Sequence, residues 1–308
     1  MPSFYCTIEE QIPGGLRLDR YVAEYKGLLS RSQIKARSLQ GKINGKAVKI
    51  SRLVRTGDLI ELSWNEAEPQ TLVPEDIALD IIYEDERTIV INKPQGMVVH
   101  PGAGNRQGTL ANALYFRSLC RGRASASAAG LRPGIVHRLD KETSGLIIAA
   151  YDDEALAFLA EQFKTRKVKK NYIAIVAGVP KEGAGRIETL IARDSGDRKR
   201  FAVSCRGKTA LTFYRVIKTW ETHSLLLLRP KTGRTHQLRV HLRYLGCPIT
   251  GDPLYGFTDP LFPRASLMLH AKRLVITLPG ESVPEIFSSP MPERFSAMIR
   301  SLNESLWP

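Results

Sequence analysis

Asp140 is a carboxylate set among cations, with Arg138 two positions before it and Lys141 directly after. Two β-rich apolar runs, Gly134 to Val136 and Leu146 to Ala149, bracket the loop that carries it. A carboxylate held among cations at a strand end stays ionised and can act as a nucleophile or a base. A charged turn between strands is as often simply solvated, and the local pattern leaves both readings open. Tyr172 stands at the mouth of another strand-like run, Lys169 to Gly178, beside a basic cluster. The ordinary role of such a tyrosine is packing, with its hydroxyl in water. Arg234 lies at the turn entering a helix, where an arginine serves as a phosphate clamp or as the partner of a distant carboxylate. Arg239 and Arg243, four apart, share a different face of that helix from its leucines.

These residues need elements to position them. Thr88 to Lys93 reads as a strand entering the turn Lys93-Pro94-Gln95-Gly96, with a second strand beyond the turn. Asp152 caps a helix running to Lys167, with Ala155, Leu156, Leu159 and Phe163 on its inner face. Leu225 to Leu228 is a buried strand. Leu238, Leu242 and Leu245 mark the inner face of the helix after Arg234, which stops at Gly246. The small, polar and basic stretch Arg121 to Gly130 reads as a surface loop.

The chain has 308 residues, enough for one large domain and a small one. Its 45 Lys and Arg against 31 Asp and Glu give a net charge of +14, which points to a polyanionic partner, nucleic acid first. No apolar run is long enough to span a membrane. The amino terminus lacks the basic and apolar regions of a signal peptide. The four cysteines are widely spaced, which fits free thiols in a reducing cytoplasm. Neither they nor the six histidines have metal-ligand spacing, so no metal is expected. Gly102-Ala103-Gly104 lacks the spacing of a nucleotide-binding loop.

Charge divides the chain. Gly15 to Trp64 holds 11 basic and 4 acidic residues, whereas Asn65 to Asn92 holds one basic and 8 acidic. The acidic, proline-containing stretch reads as a linker over residues 67–79, between a module at 15–66 and a larger domain at 80–308. In the module, Leu18, Tyr21, Val22 and Tyr25 recur at helical spacing. Ser30 caps a second helix, Arg31 to Gln40, which Gly41 stops. Asn44-Gly45 marks a hairpin. The cations Arg17, Arg20, Arg31, Lys35, Arg37 and Lys42 fall on or beside the two helices.

This module resembles the alpha-L RNA-binding domain, through Leu18-Asp19-Arg20, Ser30-Arg31-Ser32-Gln33 and Gly41-Lys42-Ile43-Asn44-Gly45. The resemblance implies RNA contact by Arg17, Arg20, Arg31, Ser32, Lys35 and Lys42. The larger domain resembles the RluA-type RNA pseudouridine synthases. The match is carried by Asn92-Lys93-Pro94-x-Gly96, His137-Arg138-Leu139-Asp140-x-x-Thr143-Ser144-Gly145, Lys170-x-Tyr172-x-Ala174 and Gly233-Arg234-Thr235-His236-Gln237-Leu238-Arg239. Gly251-Asp252-Pro253-Leu254-Tyr255-Gly256 and Leu269-His270-Ala271 follow in the family's order. The pairing of modules is most similar to the group acting on large-subunit ribosomal RNA.

The resemblance implies an α+β fold with a mixed, largely antiparallel sheet, joined to a small N-terminal α/β RNA-binding domain. It implies isomerisation of uridine, the base being detached, turned and rejoined through carbon, with no cofactor. Asp140 would be the nucleophile, Arg234 the cation that keeps it ionised, and Tyr172 the ring stacked on the loose uracil and an aid to proton removal. Leu139 and Leu238 would exclude water. Arg138 would enter the space left by the flipped nucleotide, and Arg239 would contact RNA. A monomeric cytoplasmic protein is expected. The competing readings are a protein kinase, excluded because His137-Arg138-Leu139-Asp140 carries an extra leucine and no Asp-Phe-Gly follows, and an RNA-binding assembly factor without turnover.

Overall fold

The computed structural model describes residues 1–66, 72–102, 104–122 and 133–304. Much of the Arg121 to Gly130 loop, Ala103, the start of the linker and the side chain of Ser32 lie outside the described residues. The chain divides into two compact units, Met1–Gln70 and Thr71–Pro308.

The first unit comprises β1 (Ser3–Thr7), β2 (Leu16–Arg17), α1 (Leu18–Arg20), α2 (Arg31–Ala36), β3 (Gln40–Ile43), β4 (Lys46–Val48), β5 (Leu53–Val54) and β6 (Leu59–Ser63). It therefore begins upstream of residue 15, because β1 pairs with β6 at the edge of an antiparallel sheet ordered β1-β6-β3-β4. Ser30 does cap α2, in a reciprocal box with Gln33. The sequence reading runs that helix to Gln40, but it ends at Ala36 and the chain reverses at Ser38, whose φ is +49°. Gly41 then lies inside β3. A Cβ there would stand 2.6 Å from Leu18 Cδ2, so the glycine serves close packing against Leu18 rather than helix termination. Tyr25, expected in the core, is 53% exposed because a π turn over Tyr21–Tyr25 displaces it from the buried face of Tyr21 and Val22. Asn44 (φ +50°) and Gly45 (φ +76°) form the hairpin turn between β3 and β4.

The second unit is α+β. Its strands are β7 (Ile81–Glu84), β8 (Thr88–Lys93), β9 (Ser144–Ala150), β10 (Lys169–Ala177), β11 (Ala184–Arg193), β12 (Phe201–Val203), β13 (Lys208–Thr219), β14 (His223–Pro230), β15 (Leu269–Ile276) and β16 (Glu285–Ser288). Its helices are α3 (Leu110–Cys120), α4 (Asp153–Lys164), α5 (Gln237–Tyr244) and α6 (Glu293–Glu304). The strands form one sheet ordered β12-β11-β13-β14-β10-β15-β9-β8-β7, with β16 also on β15. Among the described residues the β15–β9 pairing is parallel and the remaining pairings are antiparallel. The expected strand after Gly96 is absent, and residues 97–99 run without strand pairing.

β9 is buried throughout, because alternate residues feed opposite faces of the sheet. Ile147 and Ala149 join α3 in one core, while Leu146, Ile148 and Ala150 join α4 in another. Asp152 accepts the Ala155 N–H at 2.7 Å and so fixes the start of α4. A third core, on β10, β14 and the inner face of α5, contains Leu139, Tyr172, Leu238 and Leu242. The loop before β9, the starts of β10 and β15, the end of β14 and the segment entering α5 surround one cavity.

Candidate active site

The cavity has a volume of about 460 Å³, and its walls include Arg138, Leu139, Asp140, Thr143, Tyr172, Arg234, His236 and Arg239. Asp140 reaches it from the loop before β9, and that loop is tied down from two sides. Lys93, wholly buried at the end of β8, donates to the carbonyls of Pro94, Met97 and Lys141 at 2.7, 2.9 and 3.2 Å. Burial lowers its ammonium to about 8, so at neutral pH it still has all three donors. The Gly96 N–H and the Gln95 amide donate to the carbonyls of Lys141 and Glu142. On the other side, Gly145 (φ +112°) lies so close to β15 that a Cβ would stand 2.3 Å from the Ala271 carbonyl oxygen. The Lys-Pro-x-Gly turn therefore acts as a clamp on the two residues after Asp140.

Arg239, on α5, is only 4% exposed and donates twice to Asp252, at 2.8 and 2.7 Å. Its remaining terminal nitrogen is 3.7 Å from Asp140 Oδ2. Asp252 in turn accepts the backbone N–H groups of Leu254 and Tyr255 at 2.9 and 3.0 Å. A fixed, desolvated guanidinium thus faces a carboxylate that is 20% exposed. This corrects two expectations. The cation beside Asp140 is Arg239 rather than Arg234, and Arg239 is buried in an ion pair rather than presented to RNA. Arg234 lies in the turn three residues before α5 begins, whereas Arg239 lies within α5, five positions on. Arg234 Nε donates to the Thr209 carbonyl at 3.0 Å, and its N–H to Gln237 Oε1 at 3.0 Å, which leaves the guanidinium on the cavity wall.

Tyr172 is buried in β10, where the register with β15 shifts between Asn171 and Tyr172. Such an irregularity re-aims a side chain. Burial, reinforced by the charge of Asp140, raises its phenol above the ordinary range, so the hydroxyl stays protonated. Arg138 is an exposed cation on the wall, as are Lys164, Arg166 and Lys231. His137 also lines the cavity, but its ring is engaged in structural contacts. Its Nε2 accepts the Ile148 N–H at 3.1 Å, its ring stacks on Phe163, and burial pulls its pKa down to about 3.

The cations expected to contact RNA through the first unit form a separate set. Arg17 is held by Asp19 in a paired bond of 3.0 and 2.9 Å, and Arg20 likewise by Glu24. Arg31 stands 3.9 Å from Asp19, and Lys42 is 3.6 Å from Glu61. Lys35 is exposed on α2. Lys93, Asp252 and His236 were visible only as members of motifs. The signal available for Asp252 was an acid within an apolar, glycine-bounded run, which implies a buried partner. Among the described residues, no group of three His, Cys, Asp or Glu side chains is placed to hold a metal ion, and no helix is long and apolar enough to cross a membrane.

The cavity brings a carboxylate, a buried arginine and several wall cations together at the strand ends of a mixed sheet, an arrangement that suits an enzyme site for an anionic substrate. Residues 87–244 match the model of the RNA pseudouridylate synthase family. The chain is 44% identical to the ribosomal large subunit pseudouridine synthase D of Borreliella burgdorferi, over 97% of this chain and 92% of that protein. The protein of the same name from Xylella fastidiosa is 40% identical over 94% and 90%. The solved structure of human RNA pseudouridylate synthase domain containing 4 superposes with a TM-score of 0.58 at 28% identity, covering 72% of this chain and 92% of that one. The chain belongs to the RNA pseudouridylate synthase family. It is an isomerase that acts on RNA.

Proposed function

We propose that this enzyme converts uridines of large-subunit ribosomal RNA to pseudouridine, with Asp140 as nucleophile and without a cofactor. The observation that carries the catalytic assignment is the position of Asp140. It is clamped by the Lys93 turn, faced by Arg239 at 3.7 Å and open to the cavity. The ribosomal substrate is inferred from the names of relatives that align along nearly the whole chain.

The target uridine leaves its stack at a cost of a few kcal/mol and enters the cavity. Arg138 occupies the vacated space or steadies the flipped nucleotide. Asp140 supplies an electron pair to C1′ of the ribose or to C6 of the ring, and the N1–C1′ bond breaks. The uracil turns against Tyr172, while Leu139 and Leu238 keep out the water that would otherwise hydrolyse the bond. C5 then bonds to C1′, the Asp140 carboxylate leaving C1′ with its electron pair as it does so, or leaving C6 afterwards where the ring was attacked. Arg239 faces Asp140 at 3.7 Å and orients its carboxylate in the cavity, and Arg234 binds a substrate phosphate at the cavity wall. Tyr172 serves as a stacking surface, since a protonated phenol is a poor base. The first unit adds sequence-tolerant RNA affinity through Lys35 and the rims of its paired arginines, in a monomeric cytoplasmic enzyme.

Pseudouridine mapping across ribosomal RNA tests the substrate. A strain lacking the enzyme should lose modification at specific large-subunit uridines and regain it when the gene is restored. An unchanged large-subunit map would overturn the substrate assignment.

A further inference from the structure

The rearranged uracil must lose a proton from C5 and gain one at N1, and neither Asp140 nor Tyr172 accounts for both transfers. We propose that His236 is a further catalytic residue, carrying that proton from C5 to N1. The inference rests on the reading of the cavity as the uridine site.

His236 lines the same cavity as Asp140 and Tyr172. It sits immediately before α5 with φ +55°, a left-handed conformation that non-glycine residues seldom adopt. Such strain persists where the surroundings enforce it, and here they do. The ring is packed edge-on against Phe201 and Tyr255, with centroids 5.7 and 5.5 Å away. Nδ1 is 2.8 Å from the Tyr255 hydroxyl, and the same oxygen accepts the Phe201 N–H at 2.7 Å. In the tautomer we adopt, Nδ1–H donates to that oxygen, and the proton of the neutral imidazole is held there by the oxygen's second lone pair. Nε2 has no hydrogen-bond partner among the described residues and remains as the basic nitrogen. Burial lowers the ring's pKa, so this nitrogen is unprotonated at neutral pH.

The step balances without any added reactant. After C5 bonds to C1′, C5 still carries its hydrogen and the ring holds an N1=C6 double bond. Nε2 removes the C5 proton. The C–H electron pair restores C5=C6, and the N1=C6 pair moves to N1. The imidazolium then gives the proton to N1 and returns to its neutral form. C5 and N1 both flank C6, so one nitrogen at that edge reaches both. The transient imidazolium is favoured by Asp140 and Asp252 and opposed by Arg138 and Arg239.

The test is single-turnover modification of an RNA whose target uridine carries deuterium at C5, using the full-length enzyme. Two variants are compared, His236→Asn, because asparagine tolerates left-handed backbone, and Tyr255→Phe. Wild type should show no isotope effect and an acid limb below the ordinary histidine pKa. His236→Asn should bind the RNA with unchanged Kd, react about 10²–10³-fold more slowly, show a primary isotope effect and recover in part with added imidazole. Tyr255→Phe should slow the reaction less and move the acid limb. A His236→Asn enzyme at wild-type rate overturns the proposal. So does a slow one with neither isotope effect nor imidazole rescue. Should that variant fail to fold, an unshifted pH profile and no isotope effect in Tyr255→Phe overturn it equally. An Asp140→Asn enzyme that still makes pseudouridine would instead defeat the reading of the site.

Discussion

Arg239 spans two carboxylates of different kind, the buried Asp252 and the cavity-facing Asp140 that we propose as nucleophile. Its paired bond to Asp252 is dry and fully engaged, so truncating the arginine strands a buried charge. Arg239→Met should destabilise the second unit by about 3–5 kcal/mol in urea unfolding, because a buried pair broken on one side leaves the other uncompensated. Arg239→Lys keeps the charge but loses the planar fork, and should retain part of the stability with little activity. Arg234→Ala is expected to behave differently. Its guanidinium bonds a single backbone carbonyl, so the urea midpoint should barely move while the KM for RNA rises. If Arg234→Ala were the variant that unfolds, the assignment of roles between the two arginines would be reversed.

At the scale of elements, the β8 turn and the β9 loop act as one unit, and two substitutions probe it. Lys93→Met removes three donors from three carbonyls and should lower kcat more than it raises KM. Gly145→Ala places a methyl group within 2.3 Å of the Ala271 oxygen on a backbone with φ +112°, and should prevent soluble expression. A soluble, active Gly145→Ala enzyme would show that β9 and β15 are not locked together. Much of this architecture is legible in the amino-acid order. The Asn44-Gly45 turn, the Ser30 and Asp152 caps and the apolar β9 are local signals, each set by a few adjacent residues. The Arg239–Asp252 pair, the role of Gly41 and the exposure of Tyr25 are not local. They depend on which segments meet in space, and a 3.6-residue period says nothing about a π turn or about which of two nearby arginines turns inward.

For the whole molecule, pH and salt separate stability from RNA binding. His241 and His270 are fully buried, each bonded to hydroxyls, and burial lowers both to about 4. Their folded pKa lies below the unfolded value of 6.5, so below 6.5 the unfolded chain binds more protons. The stability they confer is complete above pH 6.5 and is lost as pH falls toward 4, roughly 2 kcal/mol for each at pH 5. Thermal melts should therefore begin to decline near pH 6.5, above the carboxylate range, and a flat profile down to pH 5 would contradict this. The excess of positive charge should appear as a steep salt dependence of RNA binding. Removing residues 1–66 should weaken the affinity and flatten that dependence while leaving the cavity folded. Unchanged modification efficiency in the truncated enzyme would remove the role given to the first unit. The central claim is that Asp140 performs the isomerisation, and the most direct test is the pseudouridine content of ribosomal RNA in cells whose only copy of the enzyme carries Asp140→Asn. The enzyme's pseudouridines should be lost while the protein stays folded and bound to RNA, and persistence of every one of them would rule out Asp140 as the nucleophile.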